Sequence, residues 1–119
     1  MKKIILIVDD ESTIRWILKV TLEVKDFTVL EAASGEEAIR VAKQTQPHLV
    51  IMDYKMPDMS GWKTTAEIKK ISPNTIVIGH TGYANEQNVQ EGFDSGCSEI
   101  LHKPVDLDEW ERTIAKYLD

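Results

Sequence analysis

Apolar and polar positions fall into blocks that alternate along the chain. Short segments at Ile4–Val8, 27–30, 48–52, 75–79 and Glu99–His102 read as strands. Two of them, Ile4-Ile5-Leu6-Ile7-Val8 and Leu49-Val50-Ile51-Met52, show no polar alternation. Such runs are buried on both faces, as strands of a parallel sheet are. The intervening segments carry helical spacing. Ile14, Ile17, Leu18, Thr21 and Leu22 predict one inward face for a helix over Ser12–Val24. Ser34 caps a second helix, with Glu37 completing a capping box and Ala38, Val41 and Ala42 facing inward. Further helices are predicted over 62–70, over 85–94 ending at Gly96, and after Asp106 with the stripe Leu107, Trp110, Ile114 and Leu118. Five successive strand–helix units predict an α/β fold with a doubly wound, five-stranded parallel sheet and helices on both faces. No linker, repeat or low-complexity segment interrupts the 119 residues, so 1–119 reads as one domain.

Composition narrows the functional classes. The net charge is -6, with scattered lysines and no basic stripe, which argues against nucleic acid as a direct partner. The lone Cys97 permits no internal disulfide, and its neighbours Gly96 and Ser98 suggest a small buried filler. The apolar run after Met1-Lys2-Lys3 stops at Asp9, too short for a signal peptide, and no run has the ~20 apolar residues of a membrane span. A cytoplasmic protein without membrane association is expected.

The chemistry lies where strands end. Asp9 and Asp10 close the first strand and Asp53 closes the third. In open α/β sheets ligands bind at that C-terminal edge. Adjacent strands lie about 4.8 Å apart, so the three carboxylates converge if the first and third strands are neighbours. Such a cluster repels itself unless it holds a cation or takes up a proton. Thr81 follows the fourth strand, and Lys103 follows the fifth and precedes Pro104. Carboxylates suited to Mg²⁺, with a hydroxyl and an ammonium able to bind phosphoryl oxygens, fit phosphoryl transfer to a carboxylate. Singly, each residue has a plainer reading: a helix cap for Asp9, Asp10 or Thr81, a loop carboxylate for Asp53, a solvated charge for Lys103.

Taken together, Val8-Asp9-Asp10, Met52-Asp53 with Met56-Pro57 and Gly61, Thr81-Gly82 and Lys103-Pro104 resemble the receiver domain of bacterial response regulators, in order and spacing, over essentially the whole chain. The resemblance implies strand order 2-1-3-4-5, the flavodoxin-like arrangement, with the site at the topological switch point. It implies that Asp53 is the phosphoacceptor and Asp10 a direct Mg²⁺ ligand. Asp9 would act partly through water, and the Lys55 backbone carbonyl would be a further ligand. Lys103 would contact the phosphoryl group, and Thr81 would bond to it and carry the switch. The Lys103–Pro104 bond is expected to be cis. The implied partners are a sensor histidine kinase or histidine phosphotransfer protein, which supplies the phosphoryl group, and a target protein. The target would read the face made by the fourth helix, fifth strand and fifth helix. The chain would be a switch that catalyses its own phosphorylation and dephosphorylation, not a metabolic enzyme.

Several positions depart from the family pattern. Ile100 stands where many receivers carry an aromatic ring whose rotation accompanies the threonine shift. Lys55 and Tyr83 flank the phosphoryl position, and Lys55 is expected to point into solvent. His80 and His102 precede Thr81 and Lys103; they could form a proton-sensitive pair, but two unrelated side chains are expected, because paired neutral histidines lack charge support. None of the three histidines is expected to be the phosphodonor. Trp110 fits the core stripe of its helix, whereas Trp16 lies off its helix's stripe and is expected to be exposed, either as an anchor for a kinase or phosphotransfer protein or as a ring lying flat on its own helix. Val89 and Phe93 are the expected anchors of the fourth helix, with Gly92 weakening its interior. Two rival functions differ in class. One is a phosphorylation-independent binding module with this fold. The other is an aspartate-nucleophile phosphatase of the haloacid-dehalogenase type, disfavoured because Lys55 stands where those enzymes have a second acid.

Overall fold

The computed structural model describes residues 2–118. Its strands are β1 (Ile4–Val8), β2 (Thr28–Ala32), β3 (Leu49–Asp53), β4 (Ile76–Thr81) and β5 (Glu99–His102). They alternate with α1 (Ser12–Val24), α2 (Gly35–Thr45), α3 (Gly61–Ile71), α4 (Glu86–Ser95) and α5 (Leu107–Leu118). All strand pairs are parallel, in the order β2-β1-β3-β4-β5. The chain is therefore a doubly wound α/β sandwich of flavodoxin-like order, with the switch point between β1 and β3.

Side-chain alternation along the strands divides the interior into two apolar layers. Leu6, Val8, Val50, Met52 and Val77 pack with Ala38, Ala42, Trp62 and Ile68, which places α2 and α3 on one face. Ile5, Ile7, Leu49, Ile51 and Ile78 pack with Leu18, Leu22, Trp110 and Ile114, which places α1 and α5 on the other. Every residue of β3 is buried, as its uninterrupted apolar run requires.

Helix starts follow the local sequence. Ser34 Oγ accepts from Glu37 N at 3.2 Å, while Glu37 Oε1 accepts from Ala33 N at 2.6 Å, a capping box displaced by one residue. Ser60 caps α3 and Asn85 caps α4, and Asp106 Oδ1 accepts from Glu109 N at 2.7 Å. Gly96, at φ 121°, ends α4 in a conformation that favours glycine.

The structure moves some expected boundaries and faces. Asp53 and Thr81 are the last residues of their strands rather than the first beyond them. The ladder continues through Asp53 opposite His80 and through Thr81 opposite His102. β2 likewise runs on to Ala32, opposite Val8. In α1, Leu18 and Leu22 are buried but Ile17 is 40% exposed, because the inward face is narrower than the spacing suggested. In α4 the buried residues are Asn88 and Gly92, not Val89 and Phe93, and Phe93 is 45% exposed. A methyl group on Gly92 would overlap the Ile100 side chain and press on the Trp62 ring. Gly92 therefore lets α4 approach the sheet closely. Cys97 is buried as expected, and burial pushes its thiol up to about 11.

Candidate functional site

Adjacency of β1, β3 and β4 brings the strand ends to one place. Asp9 follows β1 directly and is fully buried. Its amide donates to Ala32 O at 3.1 Å, its Oδ1 accepts from Glu11 N at 2.9 Å, and its carbonyl accepts from Arg15 Nη1 at 2.6 Å. These bonds fix the backbone and one carboxylate oxygen. The other, Oδ2, has no hydrogen-bond partner among the described residues; Lys103 Nζ and His80 Nε2 each lie 3.8 Å from it. Asp53 is buried at the end of β3, and its Oδ1 pairs with Lys103 Nζ at 2.8 Å. Asp10 is exposed and lines, with Glu11, Asp53, Lys55, Gly82, Tyr83 and Lys103, an open cleft of about 570 Å³.

The carboxylates strain against one another. Burial pushes Asp9 up to about 6, the nearby Asp53 charge adds to that, and the Glu11 amide and the Lys103 ammonium oppose it. Burial also raises Asp53, with the Lys103 hydrogen bond and charge working against it. Burial alone would lower Lys103, but its bond to Asp53 and the charges of Asp53 and Asp9 outweigh that and hold it above its ordinary value. The site thus binds one built-in cation among more negative charge than that cation balances, a setting that favours a further cation.

The loop between β3 and α3 holds the other wall. Asp58, which the sequence reading passed over, accepts from the amides of Gly35 at 3.0 Å and Glu36 at 2.9 Å, and these bonds keep its carboxyl below the usual range. It satisfies the start of α2 and ties the loop there. Gly61 packs so closely that a methyl group would overlap the Asp53 carbonyl. Lys55 does not simply point into solvent. Its Nζ donates to Tyr83 Oη at 3.2 Å, across the cleft mouth.

Thr81 is fully buried, and its Oγ1 accepts from Tyr83 N at 2.9 Å. With the Asn88 amide turned to suit its neighbours, Asn88 donates to Thr81 Oγ1 at 3.2 Å and to Tyr83 O at 3.1 Å. Trp62 Nε1 donates to the Asn88 main-chain carbonyl at 3.0 Å. Asn88 thus links Thr81 to α4. Sequence reading missed it, although a polar residue inside a helix with few apolar anchors was a usable signal. Ile100 packs against the α2–α3 layer. The two strand histidines do not pair. Thr81, not His80, stands opposite His102; His80 is buried with its ring edge-on to Trp110 at 5.3 Å, and His102 is exposed. His48 Nδ1 accepts from Ile4 N at 3.0 Å, at the opposite end of the sheet. The Lys103–Pro104 bond is cis, as the resemblance implied.

The family described as the response regulator receiver domain matches residues 5–115, a span that contains every strand end of the cleft. The chain belongs to this receiver-domain family. Sporulation initiation phosphotransferase F of Bacillus subtilis is 34% identical over 99% of this chain and 95% of its own length. Transcriptional regulatory protein SrrA of Staphylococcus aureus is 36% identical over 87% of this chain but only 43% of its own length. This receiver domain therefore spans less than half of that transcriptional regulator. Among solved structures, a CheY-like receiver domain from Methanospirillum hungatei superposes with a TM-score of 0.94 at 30% identity, covering 98% of this chain and 93% of that one. The response regulator TrrA of Thermotoga maritima, solved in complex with Mg²⁺ and BeF, superposes with a TM-score of 0.87 at 32% identity, covering 98% and 99%. The receiver fold is thus shared along the whole chain. Among the described residues no helix is long and apolar enough to cross a membrane.

Proposed function

We propose that this receiver domain is a phosphorylation-controlled switch that accepts a phosphoryl group on Asp53. The observation that carries the reading is the Asp53–Lys103 pair at 2.8 Å, set at a cleft that Asp10 also lines and beside an Asp9 oxygen with no partner. The donor is the phosphohistidine of a sensor kinase or phosphotransfer protein. An Asp53 oxygen forms the new P–O bond as the donor's N–P bond breaks. Lys103, already in contact with Asp53, holds the phosphoryl oxygens by charge. Thr81 lies within the same strand edge and offers its hydroxyl to them.

The residues fit Mg²⁺. Asp9, Asp10 and Asp53 offer hard oxygen donors, and Asp9 Oδ2 is an orphaned buried acceptor. Asp10, Asp53 and the Lys55 carbonyl would hold the ion, with Asp9 in support. When bound, it neutralises the carboxylates so that an anion is tolerated beside Asp53. The Mg²⁺ and BeF in the Thermotoga relative support this assignment.

The readout runs through Asn88. When Thr81 turns its hydroxyl to a phosphoryl oxygen, Asn88 loses a partner, and the packing of α4 against Trp62 changes with it. This route does not use the missing aromatic at Ile100. The response therefore alters the α4–β5–α5 surface, which a target protein reads. On α1, Trp16 is 64% exposed, and Val20 and Val24 continue its line along the helix, a surface suited to an incoming phosphodonor.

Incubation with a small phosphodonor and Mg²⁺, read by intact mass, tests the assignment. One stable phosphoryl addition, absent in Asp53→Asn, is expected. No addition means a phosphorylation-independent module; many turnovers without a stable adduct mean a phosphatase.

A further inference from the structure

One residue on the inner side of the acid cleft, His80, has no role in the phosphorylation reading. His80 is 2% exposed, and its Nε2 has no hydrogen-bond partner. Asp9 Oδ2, itself unpartnered, lies 3.8 Å away, beyond hydrogen-bond distance. With one oxygen of Asp53 these atoms make a set of three donors within 4.8 Å of one another. Two buried polar atoms that face each other without bonding are a costly arrangement unless a third body joins them.

We propose that Asp9, His80 and Asp53 form a site for a borderline divalent transition metal of the Zn²⁺ or Co²⁺ class. The donor set, one imidazole nitrogen and two carboxylate oxygens, suits those ions, whereas Mg²⁺ prefers oxygen alone. A tetrahedral ion with bonds of about 2.0 Å separates its ligands by about 3.3 Å, so the 3.8 Å between His80 and Asp9 closes with a small adjustment. Burial, with the Lys103 charge adding to it, keeps the imidazole neutral, and a neutral imidazole has one nitrogen lone pair to offer a metal. The trio is now balanced by the Lys103 ammonium, 2.8 Å from Asp53 and 3.8 Å from Asp9. That side chain is a quarter exposed and lines the open cleft beside Asp53. A lysine on a flexible stem can yield its place to an entering cation. Metal on this inner side ties up Asp53 and removes Lys103, so it opposes phosphorylation. The site itself does not depend on phosphorylation occurring.

Co²⁺ titration of the whole chain at neutral pH, with Mg²⁺ present and no phosphodonor, is the test. Strong visible d–d bands and one paramagnetically shifted imidazole N–H resonance are expected, both removed by Zn²⁺. His80→Val should weaken Co²⁺ binding at least about tenfold, with Mg²⁺ affinity within about twofold of the parent. Lys103→Met should tighten Co²⁺, and His102→Gln, which alters only an exposed imidazole, should leave it unchanged. Absence of the bands, their persistence in His80→Val, or their loss in His102→Gln overturns the site. Unchanged or weaker Co²⁺ binding in Lys103→Met overturns the exchange with the ammonium. If His80→Val does not fold, the parent's resonance decides: no shifted imidazole signal is a negative result.

Discussion

At the N-terminal end of the sheet, Thr75 Oγ1 donates to Pro47 O at 2.6 Å and accepts from Ser72 Oγ at 2.6 Å. Lys69 Nζ donates to the carbonyls of Pro73 and Thr75, and His48 joins β1 through Ile4. At the C-terminal end, Asp9, Asp53 and His80 are equally buried, yet Asp9 Oδ2 and His80 Nε2 have no partner. At the first end hydroxyls, carbonyls, an imidazole and one ammonium satisfy one another. The second concentrates charge and leaves acceptors open. Buried polar groups normally find partners, so the end that breaks the rule is where a ligand is wanted.

Substitutions at the two ends can break or sharpen this contrast. The largest effect is expected from Gly61→Ala, whose new methyl meets the Asp53 carbonyl. A loss of about 3 kcal/mol in urea unfolding is expected, because backbone cannot yield as a side chain can. A near-neutral result would show the charged end to be plastic. Next is Thr75→Val, which strips two hydrogen bonds from a buried site. It should cost about 2 kcal/mol and leave phosphoryl addition by a small donor intact. If phosphorylation fell in proportion, the two ends would not be independent.

Asp9→Asn should act in the opposite direction and stabilise the metal-free protein. Asp9 in the folded state titrates near 6 instead of 3.8, so between those values the folded protein holds more proton than the unfolded chain. Stability therefore falls as pH rises through that window, and above it the full cost is present. Allowing for screening by cleft water, the variant should gain about 1–2 kcal/mol at pH 7 and almost nothing near pH 4. Urea midpoints at the two pH values measure this, and a gain of equal size at both would remove the charge explanation. The smallest stability effect belongs to Trp16→Ala. An exposed ring that takes part in none of these buried contacts should change stability by less than about 0.5 kcal/mol. It should nonetheless slow transfer from a phosphohistidine protein while leaving transfer from a small donor unchanged. A slowing with both donors would mean that the ring supports the cleft and not the partner.

Much of this molecule was legible in the chain. The unbroken run before Asp53 has to be a strand buried on both faces, and the alternation with helical spacing leaves few arrangements for five such units. The set at the strand ends carried the family with it. What escaped was decided by distances between elements. Ile17 fits the helical stripe of α1 yet is exposed, since the stripe does not say how wide a face its neighbours cover. Val89 and Phe93 have the hydrophobicity of anchors, but the close approach that Gly92 allows turned Asn88 inward instead.

His80 shows the same division. Its place next to Thr81 is written in the sequence, and so is the parity that points it to the face opposite Thr81. Whether it meets His102 or Asp9 depends on register, and the ladder sets Thr81 against His102. Sequence by itself determined the fold class, the strand ends and the kinds of group gathered there, because periodicity and residue chemistry are local properties. Tertiary structure alone decided which of those groups are satisfied and which are left open, because partnership between buried atoms turns on shifts of an ångström that no local pattern encodes.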